Sequence, residues 1–276
     1  MEVEQETLFG LKLNEDYSVA AANDLIKGKQ KMSEREAKLL MLAMAQVVNE
    51  DKDFKTYTTT VPKLAKFFGI TEPALRRDLE GICTDLMQRV VKIKTAKDRW
   101  TVFQWINRAD YENGTLTLRL SDDIKPYMLD LADKGYFTKY QLSQILSFNS
   151  YYAIRLYQLL KCEEGATWSG KDEWSFTIDE LRDFFQTGKA YKGYEGDTRD
   201  LLKKTIKTAI KELNASPYVH VWNYTEERAS TRGRPFQRVT FNALLFDTQV
   251  AKDKWVKHIE KEKEQNQLTF SEVITE

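Results

Sequence analysis

Apolar positions along the chain change period several times, and each change marks an element. After Ser33, Ala37, Leu40, Met41, Met44 and Val48 keep helical spacing, and Ser33 with Glu36 forms a capping box. A helix is expected over about 33–48. A short second helix, Pro62–Phe68, carries Leu64, Phe67 and Phe68. Gly69-Ile70-Thr71 reads as a tight turn, with Thr71 the cap of a third helix running through Leu86. Helix, three-residue turn, helix is helix-turn-helix spacing. The period then drops to two: Val91 and Ile93, a polar turn Thr95–Arg99, then Val102, Gln104 and Ile106. Asn113-Gly114 is a hairpin signal before Thr115–Leu120. A hairpin beside a helix-turn-helix predicts a winged helix.

The pattern is written twice. A shift of 117 carries Ser33, Leu39, Leu42, Thr60 and Leu64 onto Ser150, Leu156, Leu159, Thr177 and Leu181, and Phe67-Phe68 onto Phe184-Phe185. A shift of 127 carries Leu75, Arg76, Arg77, Leu79 and Leu86 onto Leu202, Lys203, Lys204, Ile206 and Leu213. The change of shift places an insertion of ten residues, with Gly188, Gly193 and Gly196, inside Gln186–Asp197. Tyr136–Cys162 reads as two helices broken near Ser147–Asn149, the second matching the opening helix of unit one. Ile178–Phe185, about Thr198–Leu213, Tyr218–Tyr224, a long polar wing and Arg238–Phe241 complete the second copy. The expected fold class is α+β: two tandem winged-helix domains related by internal duplication. The divisions are an acidic tail 1–16, a first domain 17–135, a second domain 136–246 and a charged tail 247–276. That last segment is read as a frayed helix or a disordered tail.

Charge sharpens the picture. The 276 residues hold 42 Lys and Arg against 42 Asp and Glu, but unevenly. The first 16 hold one cation and five acids, and the last 30 hold five and seven. Residues 17–135 carry 20 cations against 17 acids, and 136–246 carry 16 against 13. Acidic ends mask two mildly basic domains, and local clustering is what matters for phosphate binding. On a 100° wheel, Leu202, Ile206, Ala209, Ile210 and Leu213 of the last long helix form one stripe. Lys204, Lys207, Thr208 and Lys211 lie opposite, with Lys203 flanking and no acid between Lys203 and Lys211. That face predicts a major-groove reading helix. The same wheel on the first copy exposes Arg77, Glu80, Gly81, Thr84 and Gln88, with Arg76 at the Lys203 position. Such a face suits base reading, since Glu accepts from cytosine N4 and Gln pairs with adenine. A protein-facing role is the second reading of this face. Arg228, Arg232 and Arg234 stand in the second wing, where Arg232-Gly233-Arg234-Pro235 is slim enough for a minor groove. Lys92, Lys94, Lys97 and Arg99 are the first wing's phosphate candidates.

Catalytic constellations are missing from the sequence. No G-x-x-x-x-G-K-[ST] run supplies a phosphate cradle, and two distant histidines, His220 and His258, build no zinc site. Asp122-Asp123 reads as a turn or helix start, not a metal pair. No enzyme activity, cofactor or metal is expected. Cys83 and Cys162 sit on apolar stripes, as buried free thiols of a reducing compartment do. With no membrane-length apolar run and an acidic start, a bacterial cytoplasmic location is expected.

The residues resemble the Rep-type initiator proteins of iteron-containing bacterial plasmids. The likeness covers roughly residues 17–246. It rests on Asn23-Asp24-Leu25-Ile26, on Tyr136-Phe137-Thr138-Lys139-Tyr140, on the block from Ser150 to Leu160 (SYYAIRLYQLL), and on the duplicated order. The resemblance implies binding of double-stranded direct repeats at a plasmid origin, melting of adjacent duplex, and recruitment of host helicase, initiator and polymerase. It also implies exchange between a DNA-binding monomer and a repressive homodimer formed through the first domain, with no active site. The alternative function is a tandem winged-helix transcriptional repressor using identical DNA contacts.

Overall fold

The computed structural model describes residues 7–8, 11–12, 17–47, 51–131, 135–166, 173–187, 195–230, 235–247 and 249–257. A two-residue ladder, β1 (Thr7–Leu8) with β2 (Leu11–Lys12), precedes the first domain. Then come β3 (Ser18–Ala22), α1 (Asn23–Lys27) and α2 (Glu34–Met44). Ser33 caps α2 by accepting from the Glu36 amide at 3.2 Å. From Glu36 to Met44 every residue of α2 is buried, so this is a central helix, not an amphipathic surface one.

β4 (Tyr57–Thr60) runs into α3 (Val61–Phe68), which Gly69 ends at φ 64°, a left-handed cap that glycine adopts without strain. α4 (Glu72–Gln88) follows. Helix-turn-helix geometry is present with the boundaries the turn residues predict. Next come β5 (Val90–Ala96), β6 (Arg99–Gln104), β7 (Ile106–Glu112) and β8 (Thr115–Leu120). β4, β8 and β7 make one antiparallel sheet in that order, while β5 and β6 form a separate two-stranded ladder, to which Lys29 adds an antiparallel bridge at Lys92. The wing is therefore the β7–β8 hairpin around Asn113-Gly114. The β5–β6 ribbon, predicted as the wing, is an extra hairpin outside the domain's sheet. One residue, Trp105, breaks the strand expected through Ile106.

The second copy repeats this plan. α6 (Tyr151–Ala166) corresponds to α2, β10 (Glu173–Thr177) to β4, and α7 (Ile178–Phe185) to α3. A reciprocal capping box between Thr177 and Glu180 starts α7. The counterpart of α4 is α8 (Glu195–Leu201), a π segment (Leu202–Lys207) and α9 (Thr208–Ala215). β11 (Val219–Arg228) and β12 (Phe236–Leu245) close the sheet β10-β12-β11, the same order as β4-β8-β7. Even the irregularities repeat. Asn107 is skipped in the pairing of β7, and Trp222 is skipped in that of β11. These are β-bulges at the same step of each wing. Much of the ten-residue insertion lies outside the described residues.

Two expectations change between and beyond the copies. Phe137–Gln141, predicted as helix, is β9, paired antiparallel with β3 from Ser18↔Gln141 to Ala22↔Phe137. Its burial alternates, with Thr138 and Tyr140 inward and Phe137 and Lys139 outward, which is a strand's period of two. A short helix, α5 (Leu142–Leu146), follows, with the break near Ser147 as expected. The tail after 247 is not frayed throughout. Residues 249–257 form α10, whose Trp255 packs 5.2 Å from both His220 and Trp222. Lys252 is buried and donates to the Asn214 and Ser216 carbonyls at the end of α9.

Arg155 of α6 fastens the halves together. It is 1% exposed, with its guanidinium 4.1 Å over the Phe184 ring. It donates to the carbonyls of Ile26 at 2.8 Å and Gly28 at 3.1 Å, and to Gln158 Oε1 at 3.2 Å. Gln158 in turn donates to Tyr140 Oη at 2.7 Å, and Tyr151 Oη donates to the Gln30 carbonyl at 3.1 Å. Gly28 also sits tight against β5: a Cβ there would stand 2.6 Å from a Val91 methyl. Burial pushes the Arg155 pKa down, yet guanidinium stays charged at physiological pH. Replacing Arg155 by Ala leaves two buried carbonyls without that donor and should cost roughly 3 kcal/mol in urea unfolding. Arg155→Lys should cost less, because an ammonium can still reach one carbonyl. A loss under about 1 kcal/mol for Arg155→Ala would remove the fastening role.

Glu36, 3% exposed, takes two hydrogen bonds from Arg89, at 2.7 and 3.1 Å. Burial opposes its ionisation, but Arg89 and Ser33 outweigh burial and hold the carboxyl below its usual value. A depressed carboxylate stabilises the fold fully above the unfolded value of about 4.3 and progressively less as pH falls through the folded value. Glu36→Gln should flatten the acid limb of stability against pH, read by thermal unfolding. An unchanged limb would remove Glu36 from that dependence.

Candidate nucleic-acid interface

The lysine face of the second domain exists, on a helix less regular than a 100° wheel assumes. Thr208 Oγ1 donates to the Lys203 carbonyl at 3.0 Å, five residues back, which marks the wide π turn. Leu201 and Thr205 join Leu202, Ile206, Ala209 and Leu213 in the core, and Ile210 moves to the stripe's edge. Lys203, Lys204, Lys207, Thr208 and Lys211 all remain exposed. They are not equivalent. Lys204 pairs with Asp200 one turn earlier at 2.7 Å, with both side chains more than half exposed. Lys207 Nζ lies 2.9 Å from Glu226 Oε1 and 5.3 Å over the Tyr224 ring. Lys203 and Lys211 make no ion pair among the described residues.

Both partners of Lys207 come from the wing, and the bulge puts them there. Before Trp222, Val219 and Val221 point to the core; after it, Tyr224 and Glu226 take over the inward phase. Arg228 lies at the wing's outer end with its guanidinium 3.8 Å over Phe236. The Ala229 amide donates to the Pro235 carbonyl at 2.9 Å and closes the tip. Arg232 and Arg234 fall outside the described residues.

The first domain presents a weaker face. On α4, Arg76 donates to Tyr111 Oη of the wing at 2.8 Å and stands 3.6 Å from Glu72. Arg77 pairs with Asp78 at 2.9 Å, and Asp78 also receives Arg35 at 2.8 Å. Thr84 is exposed beside a cleft of about 430 Å³ between α4 and the wing. Leu79, Cys83, Met87, Ala109 and Leu116 line its apolar part. Matching the bulges aligns Ala109 with Tyr224 and Tyr111 with Glu226; the helix offset of 127 aligns Glu80 with Lys207. The first domain thus lacks the ring, the carboxylate and the lysine together, and the cleft occupies the space the ring would fill.

Lys94, Lys97 and Arg99 are exposed on the β5–β6 ribbon, away from the hairpin in the wing's place. With them stands Trp100, 59% exposed, and Lys92 Nζ is 4.6 Å from that ring's centre. Sequence reasoning missed Glu226, Tyr224 and Trp100. Asp200, four residues before Lys204, carried a readable signal of pairing; Glu226 depends on the bulge and carried none. Cys83 and Cys162 are free and buried, and burial pushes the Cys83 thiol up to about 11. Asp122 and Asp123 open a 3₁₀ turn capped by Ser121. Among the described residues, no three His, Cys, Asp or Glu side chains gather as metal ligands, and no helix is long and apolar enough to cross a membrane.

Known proteins share this arrangement. A family model described as initiator replication protein, WH1, matches residues 18–161, and one described as initiator Rep protein, WH2, matches 177–243. A replication initiation protein of Escherichia coli is 25% identical over 232 residues, spanning 82% of this chain and 69% of the relative. The crystal structure of Pi initiator protein in complex with iteron DNA superposes with a TM-score of 0.62 at 17% identity. That alignment covers 85% of this chain and 99% of the other. The first model alone spans just over half of the chain, and the second falls on the repeated winged helix: the protein belongs to the initiator replication protein family, with a WH1 and a WH2 domain.

Proposed function

We propose that this replication initiator grips direct repeats of double-stranded DNA at a plasmid origin with both winged helices, and that the second supplies most of the electrostatic affinity. The observation that carries the reading is the exposed lysine face of α8–α9, beside an arginine-bearing wing. Phosphate attraction gives sequence-independent affinity, and side chains at base edges give sequence. Lys203 and Lys211 are the phosphate contacts, with Lys204 in support. Arg228, with Arg232 and Arg234 a few positions further along the sequence, supplies the contacts to the adjacent minor groove. Arg76, Arg77 and Thr84 are the first domain's helix contacts, and Lys94, Lys97 and Arg99 approach the backbone from the ribbon.

Initiation then follows by assembly and not by chemistry on the DNA. Repeats filled with this protein strain the neighbouring duplex until it melts, and host helicase, initiator and polymerase gather on the complex. The sparser first domain is free to pair with a second copy, giving a repressive dimer. No cofactor enters this scheme.

Two measurements test it. Lys203→Ala and Lys211→Ala should each weaken binding without changing thermal stability, because neither side chain enters the core. Each should also lower the slope of log affinity against log salt by about 0.9. Unchanged slopes in both would show that this is not the DNA face. Because Arg155 holds the halves together, the two helices should read segments about one turn apart, roughly 10 bp. Inserting about 5 bp between the half-sites turns one to the far side of the duplex and should abolish most of the affinity. Full binding after the insertion would mean that one domain alone reads the repeat.

A further inference from the structure

We propose that Glu226 sets the sequence discrimination of the second domain by holding Lys207 off the phosphate backbone. The inference rests on the DNA-binding reading above and adds a residue that opposes unspecific binding. Its basis is the difference among four lysines that look alike in the sequence.

Lys203 and Lys211 are free to swing toward any phosphate. The Lys204–Asp200 pair is exposed on both sides, so water and salt screen it and a phosphate displaces it readily. Lys207 is built in. Its partner Glu226 has a side chain only 22% exposed, against 52% for Lys207 itself. The same oxygen, Glu226 Oε1, also accepts from Tyr224 Oη at 2.9 Å, which fixes the carboxylate. The Tyr224 ring then lies under the ammonium, a third restraint on its direction.

A cation satisfied this way contributes little to counterion release, because a phosphate must compete with a placed carboxylate. The carboxylate itself repels phosphates that approach out of register. What remains to Lys207 is a directed donor toward the groove, suited to guanine O6 and N7. Unspecific affinity comes from phosphates and specificity from base edges. Restraining one cation therefore lowers the first while leaving the second. No counterpart exists in the first domain, where Glu80, Ala109 and Tyr111 occupy the three positions.

The test uses the full chain with sonicated mixed-sequence duplex, and a duplex recovered by selection from random DNA. Glu226→Gln should tighten binding to mixed-sequence DNA on the order of fivefold and steepen its salt slope by about 0.9, one added phosphate contact. Binding to the selected duplex should rise less, so the ratio of the two falls. Lys207→Ala should leave the mixed-sequence slope as in wild type, and Glu226→Gln combined with Lys207→Ala should return to it. Tyr224→Phe, which frees the carboxylate without removing it, should give a smaller shift of the same sign, and it decides the matter if Glu226→Gln does not fold. A wild-type slope in folded Glu226→Gln, or in Tyr224→Phe where that variant decides, overturns the proposal, as does a Lys207→Ala slope lower by about 0.9. In those cases wild-type binding persists and the DNA-binding reading stands. Absence of salt-dependent binding by the wild type would overturn both.

Discussion

Arg155 carries a positive charge into the junction of the two domains, where no carboxylate among the described residues meets it. Backbone carbonyls of the 26–28 turn accept its hydrogen bonds, and Phe184 covers one face. This solution demands a chain segment brought close and a helix held at fixed height. Those demands tie α1, α6 and α7 to one another, and through β3 and β9 they tie the N-terminal strand to the stretch after Gly135. The distance between α4 and α8–α9 follows from this junction rather than from either domain. Family matching reflects the same sharing: the WH1 model runs through residue 161, taking in the helix that the internal repeat assigns to the second copy.

Duplication preserved the frame and released the sites. Sheet order, helix-turn-helix and the bulge at Asn107 and Trp222 persist in both copies, because a bulge that re-aims a wing is part of the frame. Side chains just beyond the bulge diverged. With Tyr224 there, the gap between wing and helix is filled and a carboxylate is fixed against Lys207. With Ala109 there, the gap stays open and Arg76 bridges its rim to Tyr111. One backbone device thus supports two electrostatic settings, a cationic face with a restrained member and a mixed face.

Local signals made most of the frame readable. Ser33 with Glu36, Gly69 before Thr71, and Asn113-Gly114 each act within a few residues, and each turned out where expected. Structure fixed by distant partners was not readable. Phe137–Gln141 is a strand only because Ser18–Ala22 lies beside it, and without that partner its aromatic run looks helical. The first wing was misplaced for the same reason, since both hairpins alternate and only pairing with β4 distinguishes them. A π turn disturbs helical period too little to appear in five apolar positions. At the site, the lysines were visible as a face, but their partners were not, because Glu226 reaches Lys207 across 19 positions and a bulge.

Net charge of zero is compatible with this division of labour. Cations here serve two ends, and burial separates them. Arg155, Lys38 and Lys252 are almost fully buried, and Glu36 engages Arg89; each of these satisfies an internal acceptor. Lys252 illustrates the cost: burial lowers its pKa, yet it binds the carbonyls that end α9, where a helix's negative pole favours a cation. α10 therefore docks at the C-terminal end of α9. Left exposed in the second domain are Lys203, Lys207, Lys211 and the Lys204 pair. A count over the whole sequence averages these two populations, and only the fold shows which cations are left to reach outward.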